Sequence, residues 1–530
     1  MKLWKNGLFY TMEQAGKTVE AVLSDKGMIV ATGAVEMLRA KWSAQIQEEI
    51  DLKGQVAFPG FVDSHLHILW YGQALSRLNL SQVKSKKEAL TLIEQRVKEL
   101  APEEWLFVEG YNENMWTDEQ TLFTKEDLDG VSFGHPVIVR RIDYHCVTIN
   151  TAYIEAIGLK DQQVFAGGGE IVLTAEGLLT GILKDEATNL AIDAFPMPTQ
   201  KELESLIQLA IKDLWSKGLT GGHSEDLHYF NGFIGTLAAY RSAIDQEKTP
   251  FRAHLLIHHE ELAAYSASGE KFVDGDPFVE LGAMKIFYDG TVGSRTALMT
   301  QPYADNPANY GLQIHADASF EAMVINARKA GLPIAVHILG DAAFEKVLTM
   351  VQKYPPKAGQ RDRMIHTPWL TDALIEQAKG LPLMFDIQPQ FMSSDLPWAL
   401  DILGEHYPQR AFAWKSLLEA GLLLAGGSDA PIEIPNPFYG IYSAVTRKAD
   451  ADQQAYFKEQ ALSVYEAISL YTIGSSVADY KETTRGKIAP GFICDLTVVK
   501  EDPFRIPVEQ LKDTKVAMTV VNEQIVFEQR

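Results

Sequence analysis

Eight apolar segments, each ending in polar or histidine-bearing residues and spaced by helical stretches, constrain this 530-residue chain more than any other feature. They are GFVDSHLH (60–67), GLTGGHSE (218–225), FRAHLLIHH (251–259), GAMKIFYDG (282–290), GLPIAVHILGD (331–341), RDRMIHTPW (361–369), LPLMFDIQPQ (381–390) and GLLLAGGSDAP (421–431). Each is short enough to be a strand. Most of the later ones follow a helical run such as FEAMVINARKAG or LTDALIEQAKG, whose closing glycine suits a left-handed cap. Strand and helix repeated eight times predict an α/β fold, a (β/α)8 TIM-like barrel over residues 60–479. About 150 residues separate the first two segments, against roughly 2–6 in an ordinary βα connection, so an inserted subdomain is expected at about 72–215, covering the barrel mouth. The ends differ in style. LFYTM, TVEAVLS, GMIVAT and QVAF before the barrel, and ICDLTVVK and KVAMTVVNEQIVFEQ after it, are β-rich and broken by turn residues. They predict one discontinuous small β-sandwich from residues 1–59 and 480–530.

Charge narrows the partners. Lys+Arg number 48 against 70 Asp+Glu, a net charge of −22, and the sequence pI is near 5.1. Nucleic acid and anionic membrane would both be repelled, which leaves a small-molecule substrate as the expected partner. Cys146 and Cys494 are too few for a disulfide framework or a thiolate zinc cage, and they suit a reducing compartment. The N-terminus lacks a secretory h-region and no apolar run reaches 18 residues, so a cytoplasmic protein is expected. Oligomeric state, a homo-oligomer included, is left open.

His65 and His67 stand at i and i+2 at the end of the first segment, so both imidazoles leave one face of a strand. With 13 histidines in the chain, chance alone supplies roughly 0.3 such pairs, and the motif by itself is weak. Position strengthens it, because active sites of TIM barrels are built at the C-terminal ends of the strands. His337, His366 and Asp429 end three further segments. Singly, each histidine reads equally well as a core residue bonded to backbone; together the four imidazoles and one carboxylate make a nitrogen and oxygen set suited to zinc or a similar divalent ion. Lys285 needs its own account, since a buried ammonium beside cations would be repelled. A desolvated lysine loses its proton readily, and the free amine can add carbon dioxide to become an anionic carbamate. The plainer reading is a salt bridge to Asp289.

The order His-x-His, Lys, His, His, Asp resembles the amidohydrolase superfamily with a binuclear, carboxylated-lysine centre. GYNENMW (110–116), RRIDYHCVTIN (140–150), GLLTGILKDEA (177–187), KIFYDGTVGSRTAL (285–298) and VHILGD (336–341) resemble, more narrowly, the branch of amidohydrolase family 3 that holds N-substituted formamide deformylase. RGKIAPGFICDLTVVKEDPF (485–504) is similar to the segment returning that superfamily's chain to its sandwich. Three places depart from the pattern. VNEQIVF replaces a glycine turn, Ile365 stands where an acidic residue commonly precedes the histidine, so an orienting acceptor for His366 is missing, and His223 falls where no ligand is expected, which reads as pocket lining or support.

The resemblance implies two divalent metal ions, with zinc expected: His65 and His67 on the more buried ion, His337 and His366 on the other, carboxylated Lys285 bridging, and Asp429 on the buried ion. A bridging hydroxide would attack a polarised carbonyl while Asp429, as general acid and base, moves the proton to the leaving nitrogen. The implied reaction is hydrolysis of a C–N amide-type bond, as in an N-acyl or N-formyl compound. His145, Asp289, Arg295 and Trp116 are candidate substrate-binding residues, with structural roles as the alternatives: a hydrogen bond for His145, insert packing for Trp116, an internal ion pair for Arg295. Lactone, ester or carbamate hydrolysis, or a metal-dependent isomerisation, would use the same ligands. A non-enzymatic scaffold is a remote alternative, since all six ligand positions are filled.

Overall fold

The computed structural model describes residues 1–273, 275–407 and 410–529. The chain divides into two compact units, Met1–Gly72 with Gln200–Arg530, and Gln73–Thr199.

In the larger unit eight strands pair in parallel in chain order: β1 (Phe61–Leu66), β2 (Leu219–Ser224), β3 (Arg252–His258), β4 (Val279–Phe287), β5 (Ile334–Ile338), β6 (Asp362–His366), β7 (Leu383–Ile387) and β8 (Leu423–Gly426). Helices such as Gln200–Ser216, Gly232–Ala243, Asp317–Lys329, Asp341–Lys353 and Asp372–Ala378 alternate with them. A parallel sheet needs both faces covered, and the strands are accordingly buried almost throughout. This is the α/β TIM-like architecture that the alternation of segments predicts. The sheet ends meet beside the histidines: Asp429 N–H donates to His65 O at 2.7 Å and His67 N–H to Ala430 O at 2.8 Å. The Asp63 carboxylate also accepts Ser428 N–H at 3.1 Å.

One boundary moves. The helix Gln200–Ser216, expected inside the insert, clusters with the barrel unit. Its Leu203, Ile207, Ala210, Ile211 and Leu214 are fully buried at helical spacing, and they join the apolar cluster that contains Phe61 of β1 and Leu219 of β2. Burying each leucine or isoleucine stabilises by about 1.5–3 kcal/mol relative to exposure, so the stripe fixes the helix to the sheet. Gly218, at φ +85°, then turns the chain into β2.

Strands from both ends of the chain share a sheet: Val56–Pro59, which leads into β1, pairs antiparallel with Leu496–Val499. A second, four-stranded sheet lies within residues 2–51. Trp4 and Val22 from it and Leu496, Val498 and Val520 from the first sheet form one buried cluster. The smaller unit carries a six-stranded mixed sheet over residues 78–185 with its own apolar clusters. Among the described residues no helix is long and apolar enough to cross a membrane.

Candidate active site

The ends of β1, β4, β5 and β6, and the turn after β8, bring His65, His67, Lys285, His337, His366 and Asp429 to the wall of a single cavity of about 560 Å³. Asp429 Oδ1 lies 3.2 Å from His67 Nε2 and 3.5 Å from His65 Nε2. Lys285 Nζ lies 3.2 Å from His65 Nε2. The His366 ring stands 5.6 Å from that of His65 and 4.7 Å from that of His337. Strand register explains the convergence, since Phe287 is level with His337 and Ile338 with His366. Two of the six occupy left-handed backbone, His366 at φ +71° and Asp429 at φ +58°. Such residues cost about 1–3 kcal/mol each and persist where the surroundings fix them, as the Asp429 N–H to His65 O bond does here.

The hydrogen bonds behind the rings select the atoms in front. His67 Nδ1–H donates to Glu225 O at 2.7 Å, and His366 Nδ1–H donates to Gln388 Oε1 at 2.7 Å. Each bond commits Nδ1 to its proton, which leaves Nε2 with a lone pair in the neutral ring. Burial holds His65 and His337 well below the ordinary imidazole range and His366 at about 4. His67 goes the other way. Burial opposes its charge, but the hydrogen bond to the Asp429 carboxylate, together with the negative charges of Asp429, Glu225 and Asp226, outweighs that and lifts it to about 9. Burial would raise Asp429, yet His67, His366 and Lys285 bring it below the ordinary carboxylate value. Lys285, fully buried, is lowered by desolvation against the pull of Glu225, Asp429 and Asp386.

A divalent cation fits this donor set. The Nε2 atoms of His65 and His67 both face Asp429 Oδ1, burial holds the His65, His337 and His366 rings toward the neutral form, and the proton on His67 stands where a cation would neutralise Asp429 instead. His65, His366 and Asp429 each offer one ligand atom within 4.8 Å of the others.

The model of the family described as "Amidohydrolase family" matches residues 48–527. YtcJ of Bacillus subtilis (strain 168), a protein named as an amidohydrolase, is 45% identical over 528 residues, covering 99% of each chain. The chain belongs to the amidohydrolase family. N-substituted formamide deformylase of Arthrobacter pascens is 24% identical over 541 residues, covering 98% of this chain and 96% of its own. The crystal structure of an uncharacterized metal-dependent hydrolase from Pyrococcus furiosus superposes with a TM-score of 0.79 at 26% identity, over 95% of this chain and all of that one.

Within this amidohydrolase the secondary candidates fare differently from the six. Asp289 does not pair with Lys285. Its oxygens accept the N–H groups of Leu298, Leu339 and Gly340 at 2.8–2.9 Å, and it is 1% exposed, with burial pushing its carboxyl up to about 7. It ties two loops together and has no surface for a substrate. Arg295 pairs with Asp305 at 2.8 Å, both side chains partly exposed, which is the ion pair named as the alternative to substrate binding. Trp116, only 2% exposed, packs on Tyr111 and Phe123 in the core of the insert, which leaves its ring no free face. His145, in the same unit, is 74% exposed and pairs with Asp185 at 3.0 Å. His223 is a support: Arg363 Nη2 approaches its Nδ1 at 3.2 Å and its ring lies 4.8 Å from that of His254.

Several functional residues went unrecognised in the sequence. Gln388, from the turn after β7, orients His366 and makes good the acceptor that Ile365 cannot supply. Arg363 pairs with Asp386 at 2.7 Å, fully buried, and also donates to Ser64 O, directly before His65. Glu225, two residues past His223, is buried with one oxygen accepting from Tyr229 at 3.0 Å and the other unpartnered. Trp70, Tyr229, Phe287, Leu339, Phe391 and Trp398 give the cavity a largely apolar wall, interrupted by His258, Ser394, Asp395 and Glu433. The alternation Arg363-x-Ile365 and Asp386-x-Gln388 on adjacent strands was the available signal, because period two puts the members of each pair on one face.

Proposed function

We propose that this protein is a metal-dependent amidohydrolase that hydrolyses the C–N bond of an N-acyl or N-formyl compound whose substituent is apolar. The convergence of four imidazoles, Lys285 and Asp429 on one cavity carries this reading. His65, His67, His337, His366 and Asp429 would hold two divalent ions, zinc being the best match to the donors, with Lys285 between them. When bound, such ions supply Lewis acidity toward a water and a carbonyl oxygen. The protein's own part is positional and protonic. Asp429 Oδ1, within 3.5 Å of two imidazoles, takes a proton from the attacking water and returns it to the leaving nitrogen. The Trp70, Phe287 and Phe391 rings receive the substituent and exclude water. The similarity to an enzyme named for deformylating N-substituted formamides supports the bond type, and the likeness to a metal-dependent hydrolase of Pyrococcus furiosus supports the need for metal.

Carboxylation would make Lys285 a further anionic ligand for those ions. Its neutral Nζ attacks the carbon of carbon dioxide, one N–H proton is released to solvent, and an anionic carbamate results. Burial, which favours the neutral amine, supports this step. Zinc-loaded protein assayed against N-formyl compounds, N-acyl amines, lactones and carbamates tests the bond type. Turnover confined to lactones or carbamates would refute it. Equilibration with ¹³C-bicarbonate tests the bridge: a carbamate carbon resonance is expected in the wild type and absent in Lys285→Met, and a spectrum without it in the metal-loaded wild type would refute carboxylation.

A further inference from the structure

A fifth histidine, His258, lines the cavity beside the six groups above. Period two along β3 puts it on the face of Leu256, and the same period along β4 puts Lys285 on the face of Ala283. Leu256 and Ala283 share a buried cluster with Ala335 of β5 and Ile365 of β6. His258, level with Lys285, therefore stands one layer nearer the mouth of the barrel than that cluster.

Its hydrogen bond explains why it is not a seventh ligand. Nδ1 accepts the Glu260 N–H at 3.3 Å, so the neutral ring carries its proton on Nε2, and a protonated nitrogen has no lone pair for a metal ion. Burial, with His259, His228, Lys285 and His315 nearby, brings the ring down to about 3, which favours that neutral form. Packing holds its plane. His228 stacks on it at 4.3 Å with 13° between the rings, and both His228 nitrogens are committed, Nε2 to Glu260 and Nδ1 to Glu261, at 2.9 Å each.

The rest of this sector of the wall is aromatic. The Tyr229 and Phe287 rings flank His258 at 5.6 and 6.1 Å, and the Tyr229 hydroxyl is spent on Glu225 at 3.0 Å. Among the described residues the Glu260 amide is the one hydrogen-bond partner of His258, so its Nε2–H is left for whatever fills the cavity. A donor shut in by a bound apolar group without an acceptor is costly, and an acceptor on that group removes the cost. Asp395 and Glu433 line the same cavity, so a carboxylate acceptor would be repelled and a neutral one is favoured.

We infer that His258 is a specificity-determining residue whose Nε2–H donates a hydrogen bond to a neutral oxygen acceptor, a carbonyl or an ether, carried on the otherwise apolar substituent of the substrate. The inference rests on the reading of this cavity as the seat of an N-acyl or N-formyl compound.

The test uses the zinc-loaded full-length protein and N-benzylformamides that carry either an acetyl group or the similarly shaped isopropyl group at the ortho, meta or para position. Affinity is measured by calorimetry, and kcat/KM is read in the same way for any compound that is turned over. At one ring position or more, the acetyl-to-isopropyl ratio of the wild type should exceed that of His258→Phe, which keeps an aromatic ring in the stack but has no donor, by about 2–12-fold, the scale of one neutral hydrogen bond. His258→Gln, with an amide N–H, should recover part of the ratio, and both variants should bind as many zinc equivalents as wild type. A purely structural role would move the two affinities together and leave the ratio alone. An unchanged ratio at every position, no binding of any of the compounds, or loss of a zinc equivalent in either variant would overturn the inference. A protein that binds the compounds with the expected ratio but hydrolyses none of them would instead refute the assignment of the bond and leave the role of His258 standing.

Discussion

Gln388 gives the most direct test of how this amidohydrolase orients its ligands. Its Oε1 accepts His366 Nδ1–H at 2.7 Å in a pocket where Gln388 is 3% exposed and His366 5%. Gln388→Leu keeps the volume roughly and removes the acceptor. The stranded N–H then costs about 1–3 kcal/mol, because water cannot replace the lost partner in a closed pocket. His366 can recover by turning or by holding its proton on Nε2, and either response withdraws the lone pair from the metal. Loss of such a partner lowers metal affinity by about 10–100-fold, which is about 1.4–2.7 kcal/mol and agrees with the desolvation figure. Zinc affinity measured by competition with a chromogenic chelator should fall by that factor, with the circular dichroism spectrum unchanged. Gln388→Glu retains an acceptor and should stay within a few-fold of wild type. Wild-type zinc affinity in Gln388→Leu would refute the claim that this amide positions His366.

Asp429→Asn, which keeps the shape but not the basicity, should lower kcat by about 10²-fold or more while the protein stays folded, and near-normal turnover would remove Asp429 from proton transfer. Asp386→Leu leaves the Arg363 guanidinium buried without its partner and should cost about 3–5 kcal/mol in urea unfolding, since both side chains are within 2% of full burial. Glu280 supplies a pH-dependent case. Burial would raise its carboxyl, but the His254 hydrogen bond at 3.3 Å, Lys481 at 3.0 Å and Arg485 bring it down from 4.5 to about 2. A depressed carboxylate stabilises the fold above its unfolded value and loses that contribution as pH falls through the folded one. Wild type should therefore exceed Glu280→Gln by about 3 kcal/mol at neutral pH, and the gap should shrink between pH 4.5 and about 2. A gap that stays constant with pH would show that the effect is packing alone.

What could be read without coordinates follows from local physics. Strand and helix periods, glycine caps and the repeated βα unit determined the barrel, the rule that barrel chemistry sits at strand ends picked out His65, His67, His337, His366 and Asp429, and the family resemblance added Lys285. That these six share one cavity was legible for five of them because each belongs to a strand end that its own flanking residues define. Gln388, Arg363, Asp386 and the aromatic wall were not, because their roles exist only across strands: Gln388 matters through His366, 22 positions away, and Arg363 through Ser64 and Asp386. The same cause bears on Asp289 and Arg295, whose partners the sequence left open. Asp289 and Arg295 carry the right chemistry in a promising segment, but backbone N–H groups in one case and Asp305 in the other had already claimed them. Sequence determines which groups a strand end can present; tertiary packing decides whether a neighbour satisfies them first, since hydrogen bonds and ion pairs depend on distances that the order of residues does not encode.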